Sequence, residues 1–315
     1  TYKFFHYQLE FIEVFKERGG FDVAVGNPPW LKVTFEEKGL MSEVFPEMEI
    51  RKTTAPQVRK MQEMFLSDKQ QKEAYLAEFI ETEASSVFMN AYQNYPLLEG
   101  QQTNLYKCVL ENGFQWVSFR GYLGLIHPID IFNDPKGEKY RKIALRRLVY
   151  YFHFRNELML FSEVSHTRFY GICIYSGQET TPNFYAINNL FSPQTIDGCF
   201  IHNGRGVCGG MKTKSLVDNS FTWNISPHKS RLVNFTAKEL KVISKTFENS
   251  NNWEGAKLVT VHAKEIMSVI EKFGQFTSSI KNSENKVTVC WDETNDLNSY
   301  NILRDTKFPN FSKNE

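Results

Sequence analysis

Four consecutive residues carry the clearest chemistry in this chain: Asn27, Pro28, Pro29 and Trp30, which close the stretch FDVAVGNPPW. The Asn27 side-chain oxygen and a neighbouring main-chain carbonyl can both accept hydrogen bonds from a planar exocyclic amino group, and Pro28 has no N–H to compete for them. Consecutive prolines stiffen the backbone and hold the acceptors in place. Trp30 adds a flat aromatic face on which a nucleobase lifted from a duplex can stack. The same residues also suit a plain strand terminator, since Asn-Pro initiates turns and a second proline keeps the chain extended. Position favours chemistry: a loop just beyond the carboxyl end of a buried strand is where open α/β sheets place ligands.

Other candidates are weaker. His127-Pro128 ends the apolar run YLGLI, which places His127 on the same side of a parallel sheet as Asn27, either lining a pocket or serving as a structural strand-end histidine. Asp130, Asn133 and Lys136 lie on the polar loop that follows. Lys139, Arg141, Lys142, Arg146 and Arg147 fall close together on a predicted helix, where they can offset DNA phosphates or form a solvated face. Ser165-His166 does not signal a hydrolase, because no GxSxG elbow is present. NGRGVCGG (203–210) has no useful apolar strand before it and no clear helix after it, so it reads as a plain loop. Asp292 and Glu293 form a lone acidic pair rather than a spaced nuclease set. The five cysteines are scattered, with neither CxxC spacing nor spaced histidines, which argues against a zinc site or a disulfide framework and fits a reducing cytoplasm.

To present Asn27 at a strand end, the chain needs an α/β sheet, and the pattern supplies one. Residues 21–25 read as a short buried strand ending at Gly26, after an aromatic-rich segment, FFHYQLEFIEVF, and a Gly19-Gly20 break. Residues 59–94 predict one or two helices around a break at Ser67-Asp68. A helix over 104–119 then leads into YLGLIHP, a basic helix over 139–148, and strands over 149–154 and 168–177. This alternation predicts a largely parallel sheet. After Gly177 the texture turns to Asn, Gly, Ser, Thr and Lys, with short strand-like pieces (NFYAINNLF, TWNISP) and two amphipathic helices, so a boundary is expected near residue 180.

Composition excludes little. With 315 residues, 41% hydrophobic and 23% charged, the chain is long enough for a sizeable core. Its 37 basic and 36 acidic side chains leave a formal charge of +1, so a nucleic-acid surface would have to be local. No run approaches the ~18 apolar residues of a membrane span.

FDVAVGNPPW resembles the catalytic motif of amino-group DNA methyltransferases, [D/N/S]PP[Y/F/W] at the end of the fourth sheet strand, in its adenine-N6 form. FHYQLEFIEVF, NLYKCVLENGFQWVSFRGYLGLIHPIDIF and FRNELMLFSEVSHTRFYGICIY are similar to the segments around that motif in large restriction-modification (type II/IIG) methylases. SPHKSRLV and VCWDE resemble later parts of the same proteins.

The resemblance implies a Rossmann-like methyltransferase fold and direct methyl transfer from S-adenosylmethionine to the N6 amine of a flipped adenine in double-stranded DNA. Asn27, Pro28, Pro29 and Trp30 would form the catalytic segment. Gly26, Asn27 and His127 would border the cofactor, and Lys136, Arg141, Arg147 and Arg168 would contact DNA, with no metal required. The family's Gly-rich donor loop and ribose-binding acid are not visible before residue 21, so the chain is expected to be a fragment. Residues 1–180 are then the catalytic-loop half of the methyltransferase domain, and 181–315 a mixed α+β extension towards target recognition. A cytoplasmic restriction-modification or phage-defence enzyme, with a nuclease domain possible on the same parent, is the expected setting. The alternatives are a glutamine-amide or RNA methyltransferase, and a catalytically silent DNA-binding or scaffolding piece.

Overall fold

A computed structural model describes residues 5–51, 53–214 and 218–276. Cys290, Asp292, Glu293 and the VCWDE segment lie outside the described residues. Thr1–Gln275 form one compact unit, and Phe276–Glu315 form a second, in which Phe276 alone is described. None of the described helices is long and apolar enough to cross a membrane.

Helix ends follow local chemistry. Helix α1 (Ile12–Arg18) stops at Gly19, whose φ of 74° is left-handed. Helix α2 (Ala55–Ser67) starts on a Thr54/Gln57 capping box with Pro56 in its first turn. Asp68 is extended; it ends α2, and its carboxylate accepts the Gln71 N–H to start α3 (Lys69–Asn90), so the break falls at Ser67-Asp68 as the sequence predicts. Asn104 caps α4 (Leu105–Trp116), which passes directly into a long strand. The remaining principal helices are α5 (Glu138–Arg147), α6 (Gln194–Ile201), α7 (Ala237–Ile243) and α8 (Glu265–Phe273).

The strands are β1 (Phe21–Gly26), β2 (Val117–Pro128), β3 (Leu148–Arg155), β4 (Phe169–Ser176), β5 (Asn183–Leu190), β6 (Lys212–Lys214), β7 (Phe221–Trp223) and β8 (Val233–Thr236). Six of them form one sheet in the order β1-β2-β4-β3-β5-β8, and β6 and β7 form a separate antiparallel ribbon. β1 and β2 are parallel, as are β3 and β5, whereas β4 runs antiparallel to both of its neighbours and β8 antiparallel to β5. Four strands therefore share one direction. β4 reverses because the 156–168 connection holds only a short 3-10 turn and no crossover helix, so the chain returns antiparallel beside β3. The carboxyl ends of β1, β2, β3 and β5 and the start of β4 thus meet along one edge. The boundary expected near residue 180 falls between β4 and β5, two strands of this same sheet.

One sheet face is packed. Leu123 and Leu125 of β2, Cys173 and Tyr175 of β4 and Tyr151 of β3 meet Leu110, Phe114, Tyr140, Ala144 and Leu145 from α4 and α5 in the main core. The opposite face is packed under Phe154, Tyr170, Ile187, Leu190 and Cys199, with Trp30 at its border. Towards β1 that second face is bare, with Val23 63% and Val25 78% exposed. Among the described residues β1 has a strand neighbour on one side only.

The aromatic-rich amino-terminal segment earns its composition by seating β1. Phe11 and Phe15 meet Phe21 at ring-centroid distances of 5.2 and 5.4 Å, and Tyr7 meets Trp116 at 4.5 Å. At Gly20, φ is 140° and an added Cβ would lie 2.7 Å from the Trp116 carbonyl oxygen. Gly20→Ala is accordingly expected to destabilise the fold by roughly 1–3 kcal/mol, through strain and overpacking of the α4–β2 junction. Gly19→Ala, with nothing within 4 Å of the new methyl, should cost only about 1 kcal/mol for its left-handed φ. Urea midpoints of the two variants check that order.

Candidate functional site

β1 carries the chain to Gly26 beside Leu125, and the next residues leave the sheet as an exposed Asn27, a buried Pro28, an exposed Pro29 and a half-buried Trp30. The Trp30 indole N–H donates to the Ile126 carbonyl oxygen at 3.3 Å, tying the motif to β2. Its ring lies 5.5 Å from Phe161 and 5.8 Å from Tyr170. Downstream, Leu105 donates its N–H to the Leu31 carbonyl at 2.9 Å, and Lys32 bridges to Asn104 at the start of α4. The acceptor segment is therefore held at both ends. Asn27 itself makes no side-chain hydrogen bond among the described residues, leaving its amide free for a ligand.

Trp30 borders two cavities. A groove of about 480 Å³ is lined by Asn27–Leu31 and residues 160–164. A larger cavity of about 910 Å³ runs from Trp30 and Lys32 past Tyr106, Lys107 and Asp134 to Arg168 and Phe169. Glu163 and Val164 wall both, so the loop after β3 shapes the whole site. Asn156, fully buried, fixes that loop: its amide donates to the carbonyls of Phe161 (2.9 Å) and Val164 (2.7 Å) and accepts the Phe161 N–H at 3.1 Å.

The wall of the larger cavity is charged yet neutralised. Lys107, 5% exposed, donates to Gln101 and to Asp134, each at 2.9 Å. Burial raises the Asp134 carboxyl, but hydrogen bonds from Lys107 and the Lys136 N–H outweigh it and hold the group below its ordinary range. Tyr106, also in this wall, has a buried hydroxyl without a hydrogen-bond partner among the described residues, and burial pushes its pKa far up.

The predicted site residues divide sharply. Asn27, Pro28, Pro29 and Trp30 share the smaller cavity, and Trp30 and Arg168 share the larger one. Gly26 lines neither cavity. His127 is fully buried, with its ring stacked on Tyr106 at 5.8 Å. Its Nδ1 donates to the Pro128 carbonyl at 2.8 Å and its Nε2 accepts from the Tyr175 hydroxyl at 3.2 Å, so both ring nitrogens are spent inside the core. Gly26, Asn27 and His127 thus share no cavity, and they do not by themselves fit S-adenosylmethionine.

Of the expected DNA contacts, Lys136 and Arg168 are exposed, but Arg141 is buried, bonded to the carbonyls of Gly255 (2.7 Å) and Asp134 (2.6 Å). Arg147 donates to the Gly177 carbonyl at 2.7 Å, pairs with Glu179 at 3.2 Å and lies over Phe114. Lys139, Lys142 and Arg146 pair with Glu99, Glu138 and Glu254. The basic helix is consumed by internal pairing. Sequence reasoning missed Lys107 and Asp134, which pair across elements, and Asn156, whose three bonds fold its own loop without any motif to mark them.

The arrangement defines an α/β protein with a proline-stiffened loop at the edge where four of its strands end. Residues 1–82 match the family model of the Eco57I restriction-modification methylase. This match supports a restriction-modification methylase and covers the segment that carries Asn27–Trp30. No curated protein matches the chain.

Solved structures similar to the chain include the methyltransferase subunit of a type I restriction-modification system from Streptococcus thermophilus, at 11% identity and a TM-score of 0.30, covering 57% of this chain and 28% of that one. A second is the ATP-dependent type ISP restriction-modification enzyme LlaBIII bound to DNA, at 11% identity and a TM-score of 0.28, covering 53% of this chain and 10% of that one. A third, the DrdV–DNA complex, has 10% identity and a TM-score of 0.27, covering 53% of this chain and 14% of that one. The chain spans less than a third of each, and at such scores these likenesses establish nothing further.

Burial pushes both His127 and His153 down to about 4. As pH falls below the ordinary value of about 6.5, the unfolded chain takes up protons before the folded one. The stability these groups contribute is therefore complete above about pH 6.5 and is lost towards pH 4, at up to about 1.4 kcal/mol per pH unit for each. Glu111, whose carboxyl burial pushes up to about 7, acts in the opposite sense. His127→Gln should flatten the fall in urea midpoint between pH 6.5 and pH 4 relative to the wild type; an unchanged profile would contradict the buried neutral imidazole.

Proposed function

We propose that this chain carries the amine-holding half of an adenine-N6 DNA methyltransferase in a restriction-modification or related defence system, working in the cytoplasm with S-adenosylmethionine as methyl donor. The observation that carries this reading is the Asn27–Trp30 segment: a free Asn27 amide at the sheet's ligand edge, a preceding strand held in the sheet and an indole pinned to β2. The match of residues 1–82 to a restriction-modification methylase supports it.

In this reading a flipped adenine enters beside Trp30, and the Asn27 side-chain oxygen and the adjacent main-chain carbonyl each accept one N–H of its exocyclic amine. An amine held by two acceptors is drawn out of conjugation with the ring, which would free its lone pair for a bound donor's methyl group; the donor's sulfur–methyl bond would break as the N–C bond forms, and one amine proton would leave to water. The loop clamped by Asn156 forms the facing wall of the groove.

Gly26, Asn27 and His127 share no cavity, and among the described residues β1 has a strand neighbour on one side only, with Val23 and Val25 exposed. Parallel strands in α/β sheets are ordinarily covered on both faces. In this reading further polypeptide covers β1 and completes the donor site. Titration calorimetry of the 315-residue chain with S-adenosylmethionine should show no micromolar binding, whereas such binding would place the donor site on these residues.

In the enzyme that carries this chain, Asn27→Ala should lower N6-methyladenine formation in duplex DNA by on the order of 10²–10³, the scale for loss of one preorganised hydrogen-bond partner at a reacting group. Mass spectrometry of digested DNA reads it. Undiminished N6-methyladenine would remove the assignment, and methylation of protein glutamine or RNA instead would redirect it to those substrates.

A further inference from the structure

With the cations of α5 paired within the chain, exposed positive charge stands at Lys32 and Arg168 in the cavity wall and, beyond it, in a second group. Between Asn203 and Arg231 stand Arg205, Lys212, Lys214 and Lys229, all exposed, against the single acid Asp218. Arg231 is set aside, because it is buried and bonded to the carbonyls of Asn188, Asn189 and Ser226. None of the four exposed cations takes part in an ion pair among the described residues. In a chain of net charge +1 this is a local excess.

The excess sits on a built platform. In the ribbon Lys212 lies opposite Trp223 and Lys214 opposite Phe221. Trp223 stacks on Phe191 at 4.7 Å, which fixes the ribbon's base to the fold, and the Lys212 ammonium lies over the Trp223 ring at 4.6 Å. The preceding loop is pinned where Asn224 donates to the Gly210 carbonyl at 2.7 Å and His262 meets the Gly209 carbonyl at 2.9 Å. Phe221 remains 65% exposed beside Lys214. The platform also adjoins the site: Arg155 lies over Phe169, a wall of the larger cavity, at 4.8 Å and reaches the Met211 sulfur, one residue before the ribbon, at 3.9 Å.

We propose that the β6–β7 ribbon and the loop before it, through Arg205, Lys212 and Lys214, form a contact surface for the phosphate backbone of duplex DNA next to the cavity at Trp30. The ribbon holds the duplex while a base is presented to the site. Lys212 and Lys214 lie on one strand and Arg205 on the loop before it, none in an ion pair among the described residues and with Asp218 the single acid in the segment, which fits a polyanionic backbone. For the identity of its partner, this inference rests on the methyltransferase reading.

The test is the binding of a short fluorescent duplex to the 315-residue chain, followed by anisotropy between 50 and 200 mM salt. The triple variant Arg205→Gln, Lys212→Gln, Lys214→Gln is compared with a control of equal charge loss, Lys69→Gln, Lys72→Gln, Lys245→Gln, after matching thermal melts. The ribbon variant should bind at least tenfold more weakly, with a log–log salt slope shallower by about 2–3, and the control should match the wild type. An unchanged slope in the ribbon variant, an equal loss in the control, or no binding by the wild-type chain would overturn the proposal. The two readings fail separately: ribbon-dependent binding without any methyl transfer removes the reaction and keeps the surface, and methyl transfer without ribbon dependence does the reverse.

Discussion

The hydrogen bond from the Trp30 indole to the Ile126 carbonyl, added to the parallel ladder between β1 and β2, sets the geometry on which the site depends. β1 is a six-residue strand whose ladder, among the described residues, extends to one side only. By itself such a strand would leave the loop beyond it free to swing. The indole bond, the Leu31–Leu105 main-chain bond and the Lys32–Asn104 bridge convert that loop into a fixed arc between β2 and α4. Prolines can hold acceptors in place only if the chain on both sides of them is held, and these contacts do so.

Behind the arc, polar groups are buried for structure. His127 links Pro128, Tyr175 and the Tyr106 ring, and Tyr175 continues the chain of hydroxyls to Tyr140 at 3.1 Å. Lys107 and Asp134 join α4 to the loop after β2, and Arg141 joins the same loop to Gly255. Removing one partner from such a pair leaves the other charge buried and unpaired, which costs more than the pair contributes. The elements around the cavity are thereby locked in register, while Asn27, the side chain to which the proposed function gives the amine, makes no side-chain hydrogen bond among the described residues.

Much of this was legible in the sequence where the signal is local. Apolar runs ended by Gly26 and Pro128 marked the strands, and Asp68 marked a helix break through its capping chemistry. The Asn-Pro-Pro-Trp segment could be read as a candidate acceptor because proline removes a donor and tryptophan supplies a face, whatever the surroundings. Long-range pairing was not legible. Arg141 and Arg147 looked like a phosphate-binding face because helix spacing clusters them, yet their carbonyl and carboxylate partners arrive from residues 134, 177, 179 and 255. The segment NGRGVCGG read as a plain loop, since its anchors, Asn224 and His262, lie 14 and 53 residues from the glycines they hold. His127 stood at a strand end in both readings, and only the partners of its two nitrogens show that it faces the core.

The most direct test of the central claim is a crystal structure of the complete enzyme with duplex DNA containing its target site. The account places an unstacked adenine beside Trp30, with its exocyclic nitrogen at hydrogen-bond distance, about 2.7–3.2 Å, from both the Asn27 side-chain oxygen and the adjacent main-chain carbonyl. A flipped base held elsewhere, with the Asn27 amide turned to solvent, would contradict it.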